Sequence, residues 1–187
     1  RVHTRDGKLM AQIGEQRRIP VAFDEIPPVV IDAFLAAEDA RFFEHPGVDW
    51  MSLVRALVAN VSLGSVREGG GTITMQLARN TVLTSEKTLR RKLKEVFLAM
   101  RLEREYSKQE ILTLYLNRIF LGQRAYGIGA ASEVYFDKSV HDLTVAEAAL
   151  IAGLPRSPSL DNPVASSTRA HDRRAYVLRR MLELGKI

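Results

Sequence analysis

The sequence predicts a mainly α-helical domain with a short β-hairpin at its N-terminal end. Three observations lead there. From Pro28 onward apolar residues recur at helical spacing. Helix start and stop signals flank those runs. Strand-like runs are confined to residues 2–10, on either side of an Asp6-Gly7 pair.

Taken in order, Val2-His3-Thr4 and Lys8-Leu9-Met10 flank the Asp6-Gly7 turn, the residue pair that a tight hairpin favours. Residues 1–22 therefore form a hairpin and linking segment, and residues 23–187 the main domain. Pro27-Pro28 starts the first helix, because proline at the first helical position gives up no bond. Helices are predicted at 28–43, 49–62, 73–81, 86–104, 108–121, 127–136, 144–152 and 168–184. Ser107-Lys108-Gln109-Glu110 and Thr144-Val145-Ala146-Glu147 read as capping boxes, in which each side chain satisfies the other residue's free backbone N–H. Gly122 and Gly185 lie where helices should stop. Glycine-containing segments at 62–71 and 122–129 and a Pro/Ser-rich stretch at 155–163 interrupt the helices. In the 86–104 helix, Leu89, Leu93, Val96 and Met100 form the main core stripe. Arg91, Glu95, Leu98 and Leu102 form a second face. The 108–121 helix is apolar nearly all round and reads as central, and Asn117 inside it must find hydrogen bonds. There is no internal repeat and no heptad run.

Composition agrees with a folded domain: 187 residues, 46% hydrophobic and 26% charged. The net charge of +5 favours an anionic partner, whether nucleic acid, an acidic membrane surface or a phosphorylated substrate. The absence of cysteine removes disulfides and thiol chemistry. No window approaches the ~20 apolar residues of a membrane span, and no signal peptide is visible. The start at Arg1 suggests a fragment or a processed product.

Helical stepping from residue 28 puts Ile31, Phe34, Leu35 and Phe42 on one face, with Glu38 among them. Burial disfavours the charged carboxylate, which suits it to proton transfer near neutral pH. A structural Glu paired with a basic neighbour fits the same position. His45 follows on nearly the same face, and a lone His is more often structural. In Gly69-Gly70-Gly71-Thr72 a glycine turn runs into a helix on which Thr72, Gln76 and Arg79 share a stripe, with Asn80 at its edge. Such a helix start offers free N–H groups to an anion, although a simple loop and cap explains it equally. Glu95 would be partly buried, one turn after Arg91 and beside Lys92, or else form a surface ion pair. Two acids among cations suit transfer of a sugar from a phosphate leaving group. One acid then serves as base, and cations or a metal stabilise the leaving charge.

Five segments then carry a resemblance. Glu38-Asp39-Ala40-Arg41-Phe42-Phe43-Glu44-His45-Pro46-Gly47 is similar to an EDxxFxxHxG motif. Gly70 to Asn80 resembles GxSTITQQxxKN, and Arg91-Lys92-Leu93-Lys94-Glu95 matches RKxxE. Lys108 to Asn117 matches KxxILxxYLN, and Arg173 to Met181 matches RxxxVLxxM. Together they resemble the peptidoglycan glycosyltransferases, the glycan-polymerising domains of class A penicillin-binding proteins and the monofunctional transglycosylases. Leu121 to Gly129 looks most like the 1a type. The resemblance implies a lysozyme-like fold with a small membrane-facing lobe. It implies polymerisation of lipid II, an undecaprenyl-pyrophosphoryl disaccharide-pentapeptide, into β-1,4 glycan with inversion and release of undecaprenyl pyrophosphate. Glu38 and Glu95 would be catalytic, Glu38 as base for the acceptor 4-hydroxyl. Asp39, Phe42, His45, Gly70, Thr72, Gln76, Arg79, Asn80, Arg91, Lys92 and Asn117 would form the substrate site. No organic cofactor is implied; a divalent cation, Mg2+ or Mn2+, is allowed beside Glu95 at the pyrophosphate.

The implied partners are lipid II, the growing glycan chain and the membrane surface, with a transpeptidase domain and a transmembrane helix in the full-length protein. The implied location is the outer face of the bacterial cytoplasmic membrane, and the implied inhibitor is moenomycin. Gly71, Met75 and Arg79 depart from the motif's Ser, Gln and Lys. No Ser has Lys three positions on, so β-lactam acylation is not expected. A lytic muramidase acting on finished peptidoglycan is the alternative, but a neutral glycan does not need the Arg79, Arg91 and Lys92 cations. A nucleic-acid-binding domain would need an exposed basic stripe free of acids, and no nucleic acid is expected.

Overall fold

A computed structural model describes residues 2–3, 9–11, 16–54, 71–82 and 89–187, with side chains over 16–54, 71–80 and 90–187. The N-terminal hairpin forms from β1 (Val2–His3) and β2 (Leu9–Ala11), paired antiparallel. Its Asp6-Gly7 turn lies outside the described residues, as do Gly70 and most of the helix predicted at 49–62; a helical turn is described at 50–54.

The chain then joins the helical body earlier than the sequence suggests. Strand β3 (Arg17–Arg18) pairs in parallel with β4 (Ala125–Tyr126). Asn117 clamps Val21 on both sides: the Val21 N–H donates to Asn117 Oδ1 at 2.8 Å, and Asn117 Nδ2 donates to the Val21 carbonyl at 2.8 Å. Nδ2 also reaches the Thr113 carbonyl at 3.0 Å. The bonds that a polar group inside a buried helix must find are thus spent on the segment read as a linker.

Helix α1 (Pro28–Glu38) starts at the proline and is shorter than predicted. The Asp39 N–H still bonds the Leu35 carbonyl, but Asp39 itself is extended (φ −162°). The apolar spacing runs on to Phe42, yet the backbone has left the helix, so His45 does not share its face. Helices α2 (Ile73–Val82), α3 (Leu89–Glu105), α4 (Lys108–Arg118), α5 (Ile128–Phe136), α6 (Val145–Gly153) and α7 (Ser167–Glu183) follow. Both capping boxes form, at Ser107/Glu110 and Thr144/Glu147. Gly185 stops α7 with φ 64°. Its N–H bonds the Leu182 carbonyl and the Lys186 N–H bonds the Met181 carbonyl, the paired closure that a left-handed residue allows. Helix α4 ends at Arg118 rather than 121, because Ile119 turns extended. Phe120 then bridges to Tyr126, and Gly122 lies in the tight turn between them rather than at a helix end.

Helices α1, α6 and α7 pack on one another, while α2 packs on α3 and α4. The main core runs through Phe34, Ile111, Leu112, Tyr115, Leu116, Ile151 and Val177. Each such side chain contributes roughly 1.5–3 kcal/mol when fully buried. A second, smaller cluster joins Val48, Met75 and Ala99, with Leu53 and Val96 against it.

Helix α3 corrects one expectation. Leu93 is 61% exposed and Met100 37%, with Phe97 at 71% between them, whereas Glu95 is 1% exposed and Ala99 fully buried. The helix has two apolar faces. Its α2-facing side is the one through Glu95 and Ala99, where a small residue allows close approach. Trp50, Met51 and Val54 are also exposed.

Candidate active site

Glu38 is the last residue of α1, with its side chain 12% exposed. Gln76 of α2 donates from Nε2 to Glu38 Oε2 at 2.8 Å. The Tyr115 hydroxyl of α4 donates to Gln76 Oε1 at 3.2 Å, which fixes the amide's orientation. Arg173 of α7 approaches Glu38 Oε1 at 3.9 Å. Burial pushes the Glu38 carboxyl up from its ordinary value; the Gln76 bond and the charges of Arg173 and Arg79 only partly oppose it. The result is a carboxylate more basic than a solvated one, anchored at one oxygen.

The next residues brace this site from behind. Asp39 accepts from the Ile73 N–H at 3.0 Å, and His45 Nε2 donates to it at 3.0 Å. Thr72 donates its hydroxyl to the Gly47 carbonyl at 2.6 Å and accepts from the Met75 N–H at 3.2 Å. The α2 start, which the sequence offers as an anion site, thus spends two of its N–H groups on the protein's own Asp39 and Thr72. A carboxylate at a helix N-terminus is favoured for the same reason a phosphate would be. Gly47 has φ 89°, and a Cβ there would come within 2.8 Å of Glu103 Cγ, so the motif's last glycine is required by backbone and space. Lys108 ties this region to α4: its Nζ donates to the His45 carbonyl at 2.6 Å and to Glu103 at 2.9 Å, and lies 4.4 Å from the centroid of the buried Phe42 ring. Thr74 completes the knot with a 2.6 Å bond to Glu103.

Glu95 faces two cations, Arg91 Nε at 3.2 Å and Lys92 Nζ at 3.2 Å. A Cβ on Gly71 would lie 3.9 Å from Lys92 Nζ and, among the described residues, meet nothing nearer, so this trio sits beside the start of α2. The donor set does not fit a protein-held divalent ion. Both Glu95 oxygens already face cations, and among the described residues no group of three metal-ligating side chains includes it.

A pocket of about 410 Å³ opens beside Gln76. Arg79 and Asn80 of α2 line it together with Arg118 from the end of α4. Phe120, Tyr126, Pro155 and Pro158 add apolar lining, and Arg18 of β3 lines it as well.

The predicted residues thus divide. Glu38, Gln76, Arg79 and Asn80 line or adjoin the cleft, and Glu95 gathers Arg91 and Lys92. Asp39, Phe42, His45, Thr72 and Asn117 point inward as bracing. Sequence reasoning did not single out Arg173, Tyr115, Lys108, Arg18 or Arg118 as site residues. Arg173 opens the RxxxVLxxM segment, the one signal that could have flagged it.

The family model described as transglycosylase matches residues 6–182. The chain belongs to the transglycosylase family. Among curated relatives, penicillin-binding protein 1A of Escherichia coli (strain K12) is 55% identical over 186 residues, covering 100% of this chain and 22% of the relative. Penicillin-binding protein 1A of Vibrio cholerae serotype O1 is 53% identical over 182 residues, covering 97% and 22%. This transglycosylase chain therefore spans about a fifth of the length of the relatives it matches. The crystal structure of penicillin-binding protein 1A from Haemophilus influenzae superposes with a TM-score of 0.56 at 36% identity, over 99% of this chain and 18% of that one. The mainly helical architecture is common to both.

Proposed function

We propose that this transglycosylase chain polymerises lipid II into β-1,4-linked glycan with inversion at the anomeric carbon. The observation that supports this best is Glu38: a carboxyl whose pKa is raised by burial, held by Gln76, which also lines a pocket rich in guanidinium groups. Glu38 takes the proton of the acceptor 4-hydroxyl as that oxygen bonds to the donor's anomeric carbon. The bond from that carbon to the pyrophosphate breaks on the opposite face. The leaving group departs with its electron pair, and Arg79, with Arg91 and Lys92 around Glu95, offsets its charge. Glu95 acts by holding those two cations in place. A divalent cation remains a proposal that would need the substrate's own phosphates as ligands.

The exposed Trp50, Met51 and Val54, with Leu93 and Phe97, suit contact with lipid. In the full-length protein a membrane anchor and a transpeptidase domain accompany this unit at the outer face of the cytoplasmic membrane. No helix among the described residues is long and apolar enough to cross a membrane itself.

The test supplies lipid II to the full-length protein and follows glycan strands on gels. Glu38→Gln should lower the polymerisation rate at least ~100-fold, the lower end for loss of a general base. Undiminished polymer from that variant would remove Glu38 from the reaction. Cleavage of finished peptidoglycan without synthesis from lipid II would point to lytic chemistry instead.

A further inference from the structure

The pocket that Gln76 shares with Glu38 gathers positive charge from three separate elements. Arg18, Arg79 and Arg118 all line it, and among the described residues no carboxylate does. Arg79 is the one already used, since its charge reaches Glu38. Arg18 and Arg118 come from elements outside that role, β3 and the last residue of α4.

Arg18 is held ready. Its Nε and Nη2 donate to Gln16 Oε1 at 3.2 and 2.9 Å, and its guanidinium stacks 5.1 Å from the Tyr126 ring centroid. A guanidinium fixed in this way loses little freedom when it meets an anion. Among the described residues Arg118 makes no ion pair or side-chain hydrogen bond, so its donors are unspent. Clustered guanidiniums without a counter-charge repel one another, and a bound anion would relieve that.

Resting on the glycosyl-transfer reading above, we propose that Arg18 and Arg118 form a carboxylate subsite, taking an acid group of the peptide stem on a disaccharide unit held in the cleft. The planar fork of Arg118 matches a carboxylate, and Arg18 adds its end-on Nη1 edge, the one that Gln16 leaves open. Tyr126 and Phe120, with Pro155 and Pro158, present flat apolar walls to the peptide that bears it. The pyrophosphate, the other anion of the substrate, is met by Arg79, Arg91 and Lys92.

The experiment compares two substrates on the full-length protein in detergent micelles: lipid II with its complete stem, and an analogue cut back to the lactyl amide. Both keep the pyrophosphate. The readout is the ratio of kcat/KM for the two, which does not depend on how much of a preparation is folded. The parent should favour the stem-bearing substrate about tenfold or more, the effect of one charge-assisted contact. The double variant R18Q/R118Q should lose most of that ratio, and R18K/R118K should recover part of it. A parent that treats the two substrates alike overturns the subsite. So does a double variant that loses equally on both, which would mean that the pair serves sugar or phosphate. If the parent makes polymer from neither substrate, the glycosyl-transfer reading itself falls and takes the subsite with it.

Discussion

Replacing Asp39 with alanine tests whether the residue after the proposed base is a brace rather than a reactant. Asp39 is buried, and its carboxylate satisfies two donors, the Ile73 N–H at 3.0 Å and His45 Nε2 at 3.0 Å. Alanine removes both acceptors and brings in nothing to replace them. A buried donor left unpaired costs roughly 1–3 kcal/mol, so the two together should cost about 3–5 kcal/mol, the range for breaking a buried pair. For a chain of this size each kcal/mol lowers Tm by about 2–4 °C, which places the expected fall at about 6–20 °C. Asp39→Asn keeps one carbonyl for Ile73 but offers an amide where His45 needs an acceptor, and should cost about half as much. Urea unfolding followed by circular dichroism at constant m-value measures the difference. An alanine variant within about 1 kcal/mol of the parent would refute the brace.

Three further outcomes are expected. Glu38→Gln should be at least as stable as the parent at pH 7. A carboxyl whose pKa is raised by folding holds its proton to higher pH in the folded state than in the unfolded one, so the parent loses stability as pH rises from about 4.5 through the folded-state value, and the gap should close below about 4.5. Urea midpoints at both pH values decide this. Arg173→Met removes a positive charge from beside Glu38, so the acid limb of the kcat/KM profile for lipid II should move to higher pH, with Arg173→Lys moving it less; an unmoved limb would show that Glu38 does not set it. Gly71→Ala should raise stability by about 0.4–1 kcal/mol, because its φ is not positive and, among the described residues, a Cβ there meets only Lys92 Nζ at 3.9 Å; a lower Tm would mean that the loop needs glycine.

Local grammar was readable from the sequence, and long-range convergence was not. Both capping boxes and the Gly185 stop follow from bonds within a few residues, so the sequence places them. The first helix overran because apolar spacing continues through Phe42, while the break at Asp39 is set by Ile73, 34 residues away. The glycine-to-helix segment looked open to a phosphate for the same reason: nothing nearby announces that Asp39 arrives to cap it. On α3 periodicity found two apolar faces but could not say which would meet α2, so Leu93 and Met100 were assigned to the core. Glu38 stood out by helical position alone, yet what makes it chemically distinct comes from three other helices, through Gln76, Tyr115 and Arg173. The departures from the family motif also look different in three dimensions. Met75 is buried in the smaller apolar cluster, so its change from Gln alters packing there rather than the cleft.

The clamp of Asn117 on Val21 has a mechanical consequence. The incoming chain is fastened twice within a few residues, at β3 and again at Val21, and the first fastening delivers Arg18 to the cleft wall. Two attachment points remove the swivel that a single one would leave. A pull that reaches residue 16 is therefore taken up by β3 and Val21 together, and the load falls on the elements that line the pocket. From residue 17 onward the direction in which the chain enters the body is set by the fold.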